Sequence, residues 1–161
     1  MPKPPKRHRP GDPALAQVLD LIRRAFAGME GRIDPPSSMH GLDLAALDRQ
    51  CRGGELWSIG VPALACVFLT PQNDALYVGK LAVAEPARGQ GLARALLDLA
   101  EERAQSLGLP RLRLQTRIEL TENHATFAAL GFRQTGQTSH PGYDRPTSLV
   151  FERPVPARSK R

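Results

Sequence analysis

The chain has 161 residues, 41 % of them hydrophobic, enough for one domain with a sizeable core. No run approaches the roughly 18 apolar residues that span a bilayer, and the N-terminus is rich in Pro, Lys and Arg, so a membrane protein is excluded and a cytoplasmic one expected. The net charge of +6 is located at the ends: Lys3, Lys6, Arg7, Arg9 and Arg153, Arg158, Lys160, Arg161 lie in acid-free stretches, and the remainder holds 14 basic against 16 acidic residues.

The two ends therefore read as disordered basic tails, residues 1–11 and 153–161, around a domain at 12–152. Neither end has an aromatic residue for base stacking, which makes nucleic acid an unlikely partner. A first helix follows from Leu15, Val18, Leu19, Ile22 and Phe26, with Asp12-Pro13 as its start signal. Residues 32–40, with two prolines and two serines, form a loop. Asp43 caps a short helix through Leu44, Leu47 and Cys51, closed by Gly53-Gly54. Cys51 and Cys66 have no metal-ligand spacing and are expected as reduced thiols, with no metal bound.

Strands at 56–59, 63–69 and 76–83 are joined by short turns and imply an antiparallel meander. Leu92, Leu96, Leu97, Ala100 and Ala104 give a second long helix, closed by Gly108 and Pro110. Leu112 and Leu114 alternate with Arg111, Arg113 and Gln115, a strand with one wet face. The strand–helix–strand connection makes this strand parallel to 76–83. Residues 121–130 form a helix with Thr121 as N-cap, Gly131-Phe132 re-enters a strand, 139–147 is a loop, and 148–152 is the last strand. The fold class is α/β (α+β): a mixed central sheet flanked by helices.

The turn Arg88-Gly89-Gln90-Gly91-Leu92-Ala93 joins the buried strand to the long helix. Gly89 and Gly91 can take positive φ and leave no Cβ in a ligand's way. The helix start supplies unpaired N–H groups and the positive end of the dipole, so the unit is an anion cradle suited to a phosphate or pyrophosphate. It is not a P-loop, lacking Gly-Lys-Ser/Thr, and Arg94 stands where a dinucleotide fingerprint needs its third glycine. It fits Arg/Gln-x-x-Gly-x-Gly/Ala through Arg88, Gly91 and Ala93. A second pattern, Asn123, Phe127, Leu130, Gly131 and Phe132, follows the parallel strand.

With these two segments the chain resembles the Gcn5-related N-acetyltransferases. The resemblance implies an N-acetyltransferase using acetyl-CoA. It assigns the coenzyme's diphosphate to Arg88, Gly89, Gln90, Gly91, Leu92 and Ala93, and its thioester arm to the strand edge at Leu81, Ala82 and Val83. Asn123 and Phe127 would flank that arm. The family usually has Tyr where this chain has Phe127, and a phenyl ring cannot protonate the leaving thiolate. The resemblance also points to Asp34, Ser37 and His40, in the loop between the first two helices, as facing the acceptor. Tyr143, beside His140, Asp144 and Arg145, would form another wall. Alternatively both loops are plain solvated turns.

The proton acceptor has no assigned residue: the strand 76–83 holds no acid, leaving Glu119, Asp34, His140 and Tyr143 as candidates by position. The expected activity is acetyl transfer to the primary amine of a small-molecule or amino-acid-like acceptor. The alternatives are an acyl-CoA-binding module without turnover and a transferase acting on protein or peptide amines. A homodimer is compatible with the family.

Overall fold

The structure is a computed structural model that describes residues 4–29, 31–37 and 41–157. It opens with an element the composition does not suggest. Strand β1 (Lys6–Arg7) pairs antiparallel with β2 (Glu55–Ile59), Lys6 opposite Ser58 and Arg7 opposite Trp57. The segment expected to be a disordered tail is thus an edge strand. His8 explains why: it is 5 % exposed, its Nε2 lies 2.6 Å from Ser58 Oγ, and its Nδ1 lies 2.8 Å from Asp12 Oδ2. One buried histidine with both ring nitrogens satisfied anchors an otherwise hydrophilic segment. Lys6 and Arg7 also lie 3.9 and 4.0 Å from Asp12 and Glu55, so part of the basic charge is neutralised locally.

Helix α1 (Leu15–Phe26) buries Leu15, Val18, Leu19, Leu21 and Ile22. Ala14 rather than Asp12 is its N-cap residue, and Asp12 Oδ1 accepts the Ala14 N–H at 2.9 Å from outside the helix. Helix α2 (Leu44–Gly53) starts as expected, with the Asp43 carboxylate accepting the Ala46 N–H. Both helices pack their apolar stripes on one face of the sheet, against Leu56, Cys66, Phe68 and Ala82.

The meander continues through β3 (Ala65–Pro71) and β4 (Leu76–Val83). Helix α3 (Leu92–Leu107) covers the opposite face with Leu92, Leu96, Leu97, Ala100 and Ala104, and ends in a left-handed Gly108. Its crossover delivers β5 (Arg111–Arg117) parallel to β4. Helix α4 (Thr121–Ala129) has Leu120 at its N-cap with no side-chain bond, so Thr121 is its first helical residue and not its cap. Strands β6 (Arg133–Thr138) and β7 (Ser148–Pro154) complete a seven-stranded sheet in the order β1-β2-β3-β4-β5-β7-β6.

The C-terminal boundary also moves. Arg153, expected in a tail, lies in β7 and donates to the carbonyls of Leu130 at 2.9 Å and Leu97 at 3.5 Å. Its guanidinium stacks on the Phe132 ring, 5.2 Å from the centroid. It therefore ties the ends of α4 and the middle of α3 to the sheet. No helix among the described residues is long and apolar enough to cross a membrane.

Candidate active site

The site begins where sheet pairing fails. Strands β4 and β5 share two rungs, Leu76 with Leu112 and Tyr77 with Arg113. Beyond them β4 stays on β3 as far as Val83, and β5 stays on β7 as far as Arg117. The two facing edges part and leave main-chain donors and acceptors unpaired across the gap. A bulge in β4 accompanies the split: β3 advances two residues from Cys66 to Phe68 while β4 covers three, from Ala82 to Gly79. Lys80, inside the bulge, has φ +48°, a left-handed backbone uncommon in a long side chain. Bulged strands bend and re-aim their backbone groups.

The resulting cleft has a volume of about 490 Å³, within the size range of small-ligand sites. Leu81 from β4, Gln115 and Thr116 from β5, and Asn123 and Phe127 from α4 line it. Asn123 Nδ2 donates to Thr116 Oγ1 at 3.4 Å, which turns the amide along the β5 edge. Phe127 packs edge-on against Phe132, with centroids 5.9 Å apart, and also meets Phe151. Its role in the fold is aromatic packing, with one side on the cleft. Ala82 is buried among α1 and α2, and neither it nor Val83 is in the cleft lining; both are paired with β3. Tyr77 also lines the cleft; burial pushes its phenol above the ordinary value, opposed by a main-chain hydrogen bond from Gln115.

The candidates scattered through the sequence are brought together beside this cleft, with Ser37 and His140 in its lining. Tyr143 Oη donates to Asp34 Oδ1 at 2.6 Å, and Arg145 donates to Asp34 Oδ2 at 2.9 Å. The Asp34 main-chain N–H donates to Glu119 Oε2 at 3.0 Å. His140 lines the cleft, hydrogen-bonds Thr147 Oγ1, and meets the Tyr143 ring at 6.5 Å. Ser37 lines the same cleft. His40 lies outside the described residues. Loop 31–37 is held here by Arg117, which donates to the carbonyls of Pro35 and Pro36 at 2.6 and 3.1 Å. Arg32 adds a bidentate pair on Glu122, both contacts 2.7 Å.

The electrostatics at this end are uneven. Burial, reinforced by Arg117, holds His140 below the ordinary histidine value, while Glu119 pulls the other way; the neutral imidazole is favoured near pH 7. The hydrogen bond to Asp34 pushes Tyr143 up. Glu119 Oε1 is buried with no partner among the described residues. Lys80 is pushed down by burial and then by Arg117. Neither Lys80 nor Arg117 was singled out from sequence. A lysine inside an apolar strand was the available signal for the first; nothing marked the second.

The glycine turn stands apart from the cleft lining, at the start of α3. Gly89 and Gly91 have φ +80° and +78°, so positive φ is required at both. A Cβ built on either would meet no atom within 4 Å. The region is open and not filled by its own side chains. Gly91 caps α3 with no side-chain bond, leaving the first-turn N–H groups facing outward. Arg88 is exposed and lines a separate groove of about 600 Å³ beside α1.

The model of the acetyltransferase (GNAT) family matches residues 20–132. The protein belongs to that family. This GNAT protein is therefore an acyltransferase, and acetyl-CoA is its co-substrate. It is 27 % identical over 151 residues to an IAA acetyltransferase of Azospirillum brasilense, covering 92 % of this chain and 95 % of that one. Its fold is shared with a GNAT acetyltransferase from Elizabethkingia anophelis solved with acetyl-CoA bound (TM-score 0.65, 19 % identity, 94 % and 97 % of the two chains). The ribosomal-protein-S18-alanine N-acetyltransferase of Escherichia coli shares it too (TM-score 0.68, 15 % identity, 97 % and 96 %).

Proposed function

We propose that this GNAT enzyme acetylates the primary amine of a small-molecule or amino-acid-like acceptor, and that the gap between β4 and β5 is where donor and acceptor meet. The observation that supports it most is the two-rung limit of the β4–β5 pairing beside an open glycine turn. Bound acetyl-CoA supplies the acetyl thioester. Gly89 through Ala93 hold the diphosphate on main-chain N–H groups, with Arg88 adding positive charge. The free edge at Leu81, Ala82 and Val83 pairs with the amide-bearing arm as a neighbouring strand would. The bulge at Lys80–Leu81 turns a backbone N–H toward the thioester oxygen, where negative charge grows during attack. Asn123 and Phe127 confine the arm from the α4 side.

Transfer forms an N–C bond and breaks a C–S bond; of the two protons the ammonium gives up, the one shed after attack neutralises the thiolate that leaves, and the one shed before attack needs a base. His140 takes that proton: it faces the cleft and its neutral form is favoured. Phe127 donates none, so the thiolate is released without the family's usual hydroxyl.

Two measurements test this reading. Acetyl-CoA should raise the melting temperature, and Arg88→Glu combined with Gly91→Glu should abolish the rise. Thiol release should exceed the hydrolysis background for at least some members of a panel of small primary amines. No thermal shift in the wild type removes the diphosphate assignment; a shift with no release on any amine removes the transfer.

A further inference from the structure

The charges lining the cleft are of one sign. Lys80 and Arg117 are its formally charged side chains among the described residues, and no carboxylate lines it. The carboxylates nearby are engaged elsewhere. Asp34 takes Tyr143 and Arg145, Glu122 takes Arg32, and Glu119 gives one oxygen to the Asp34 N–H. Arg117 spends its donors on two neutral carbonyls, those of Pro35 and Pro36, so its charge is not cancelled.

Lys80 is the more telling of the two. Its ammonium sits 5.9 Å over the Phe26 ring, and it forms no ion pair with a carboxylate among the described residues. It lies in the β4 bulge, meets Phe26 of α1 and lines the cleft. A half-buried cation whose partner among the described residues is a ring is poorly compensated, and the neighbouring Arg117 worsens its position. An anion entering the cleft removes both penalties at once.

We infer that the acceptor amine of this enzyme bears a carboxylate, which Lys80 binds directly and Arg117 attracts through the cleft. The inference rests on the acyl-transfer reading above and narrows its acceptor from amines in general to anionic ones. It disfavours polycationic acceptors, which would meet two fixed positive charges. The coenzyme's own anionic groups are assigned to the turn at the head of α3, so Lys80 serves the acceptor and not the diphosphate.

The test compares matched pairs: L-phenylalanine with phenethylamine and with L-phenylalaninamide, and β-alanine with ethylamine, each with saturating acetyl-CoA. kcat/KM should favour the carboxylate by about tenfold or more, the usual weight of a charge-assisted hydrogen bond. Lys80→Met should remove that preference, mainly by raising the acceptor KM. It should leave the acetyl-CoA dissociation constant unchanged, and Lys80→Arg should restore the preference. Binding reads the same discrimination without turnover: with coenzyme A present, N-acetyl-L-phenylalanine should bind about tenfold tighter than N-acetylphenethylamine in the wild type and equally in Lys80→Met. Equal turnover or equal binding of the charged and neutral partners overturns the anionic acceptor while leaving the transferase intact. A fall in coenzyme affinity in Lys80→Met overturns it too, by assigning the lysine to the coenzyme. Absence of turnover with retained product discrimination overturns the transfer reading and upholds the charge preference.

Discussion

Two regions of this molecule bury charged and polar side chains and treat them in opposite ways. At the β1–β2 edge every such group has its partners. Glu55, 4 % exposed, accepts from Arg103 Nε and Nη2, both 2.8 Å, and from Trp57 Nε1 at 2.9 Å. His8 is bonded through both ring nitrogens. In and beside the β4–β5 cleft the needs are left unmet among the described residues: Glu119 Oε1 has no partner, Lys80 has only the Phe26 ring, and the β4–β5 pairing stops after two rungs. A satisfied buried network specifies a packing, whereas an unsatisfied one is a cost the fold sustains where a ligand is to complete it. Removing side chains should therefore cost stability at the first region and function at the second.

The largest loss of stability is expected for Arg103→Ala. It strands a carboxylate that burial alone would push to a higher pKa and that hydrogen bonds from Arg103 and Trp57 hold below the ordinary value. Breaking such a pair costs ~3 kcal/mol. Urea denaturation reads the change, and acetyl-CoA binding by the surviving folded fraction should match the wild type. A change under about 0.5 kcal/mol would show that the edge is not what the comparison takes it for.

Next is His8→Ala, at ~2 kcal/mol, because it leaves Ser58 and Asp12 without their shared partner. This edge also has a pH signature. The Ala14 N–H and His8 hold Asp12 below its ordinary value, so its folded pKa is lower than its unfolded one. The stability it contributes is present above the unfolded pKa and lost as pH falls through the folded value. Asp12→Asn should therefore flatten the acid side of the stability profile, while leaving the neutral-pH rate of acetyl transfer unaltered.

Much of this contrast is legible in the sequence, but unevenly. The meander, the α3 crossover and the glycine turn follow from apolar spacing and from two glycines at a strand–helix junction, because burial and positive φ constrain residue type. Asp34, Glu119, His140 and Tyr143 were legible one by one as chemistry-bearing residues in loops. Their assembly into one cluster was not, since it depends on loop 31–37 being drawn across by Arg117. The bulge at Lys80 escaped because a left-handed lysine violates local preference, and only the register of β3 against β4 imposes it. β1 escaped for the reverse reason: a Pro- and Arg-rich stretch has the composition of a tail, and a single buried histidine overrules it.

On the cleft side the expected stability changes are small and the functional ones large. Glu119→Gln keeps an acceptor for the Asp34 N–H and removes a half-buried charge with one bare oxygen, so stability should shift by less than about 1 kcal/mol, in either direction. A loss of several kcal/mol would place Glu119 with the closed network of the β1–β2 edge.

The smallest stability effect is expected for His140→Gln, whose side chain can still reach a hydroxyl partner, yet its kinetic signature is the most specific. If His140 accepts the ammonium proton, wild-type kcat/KM rises with pH through the histidine pKa. Burial and Arg117 place that pKa below the ordinary value, so the midpoint of the rise lies below that of a free histidine. His140→Gln should lower the plateau by roughly 100-fold and erase that rising limb, leaving only the slower rise set by the acceptor's own ammonium. A variant that keeps the limb at reduced height would assign the titration to another group. Glu119, whose charge acts on the imidazole and whose Oε1 has no partner among the described residues, would then be the next to replace.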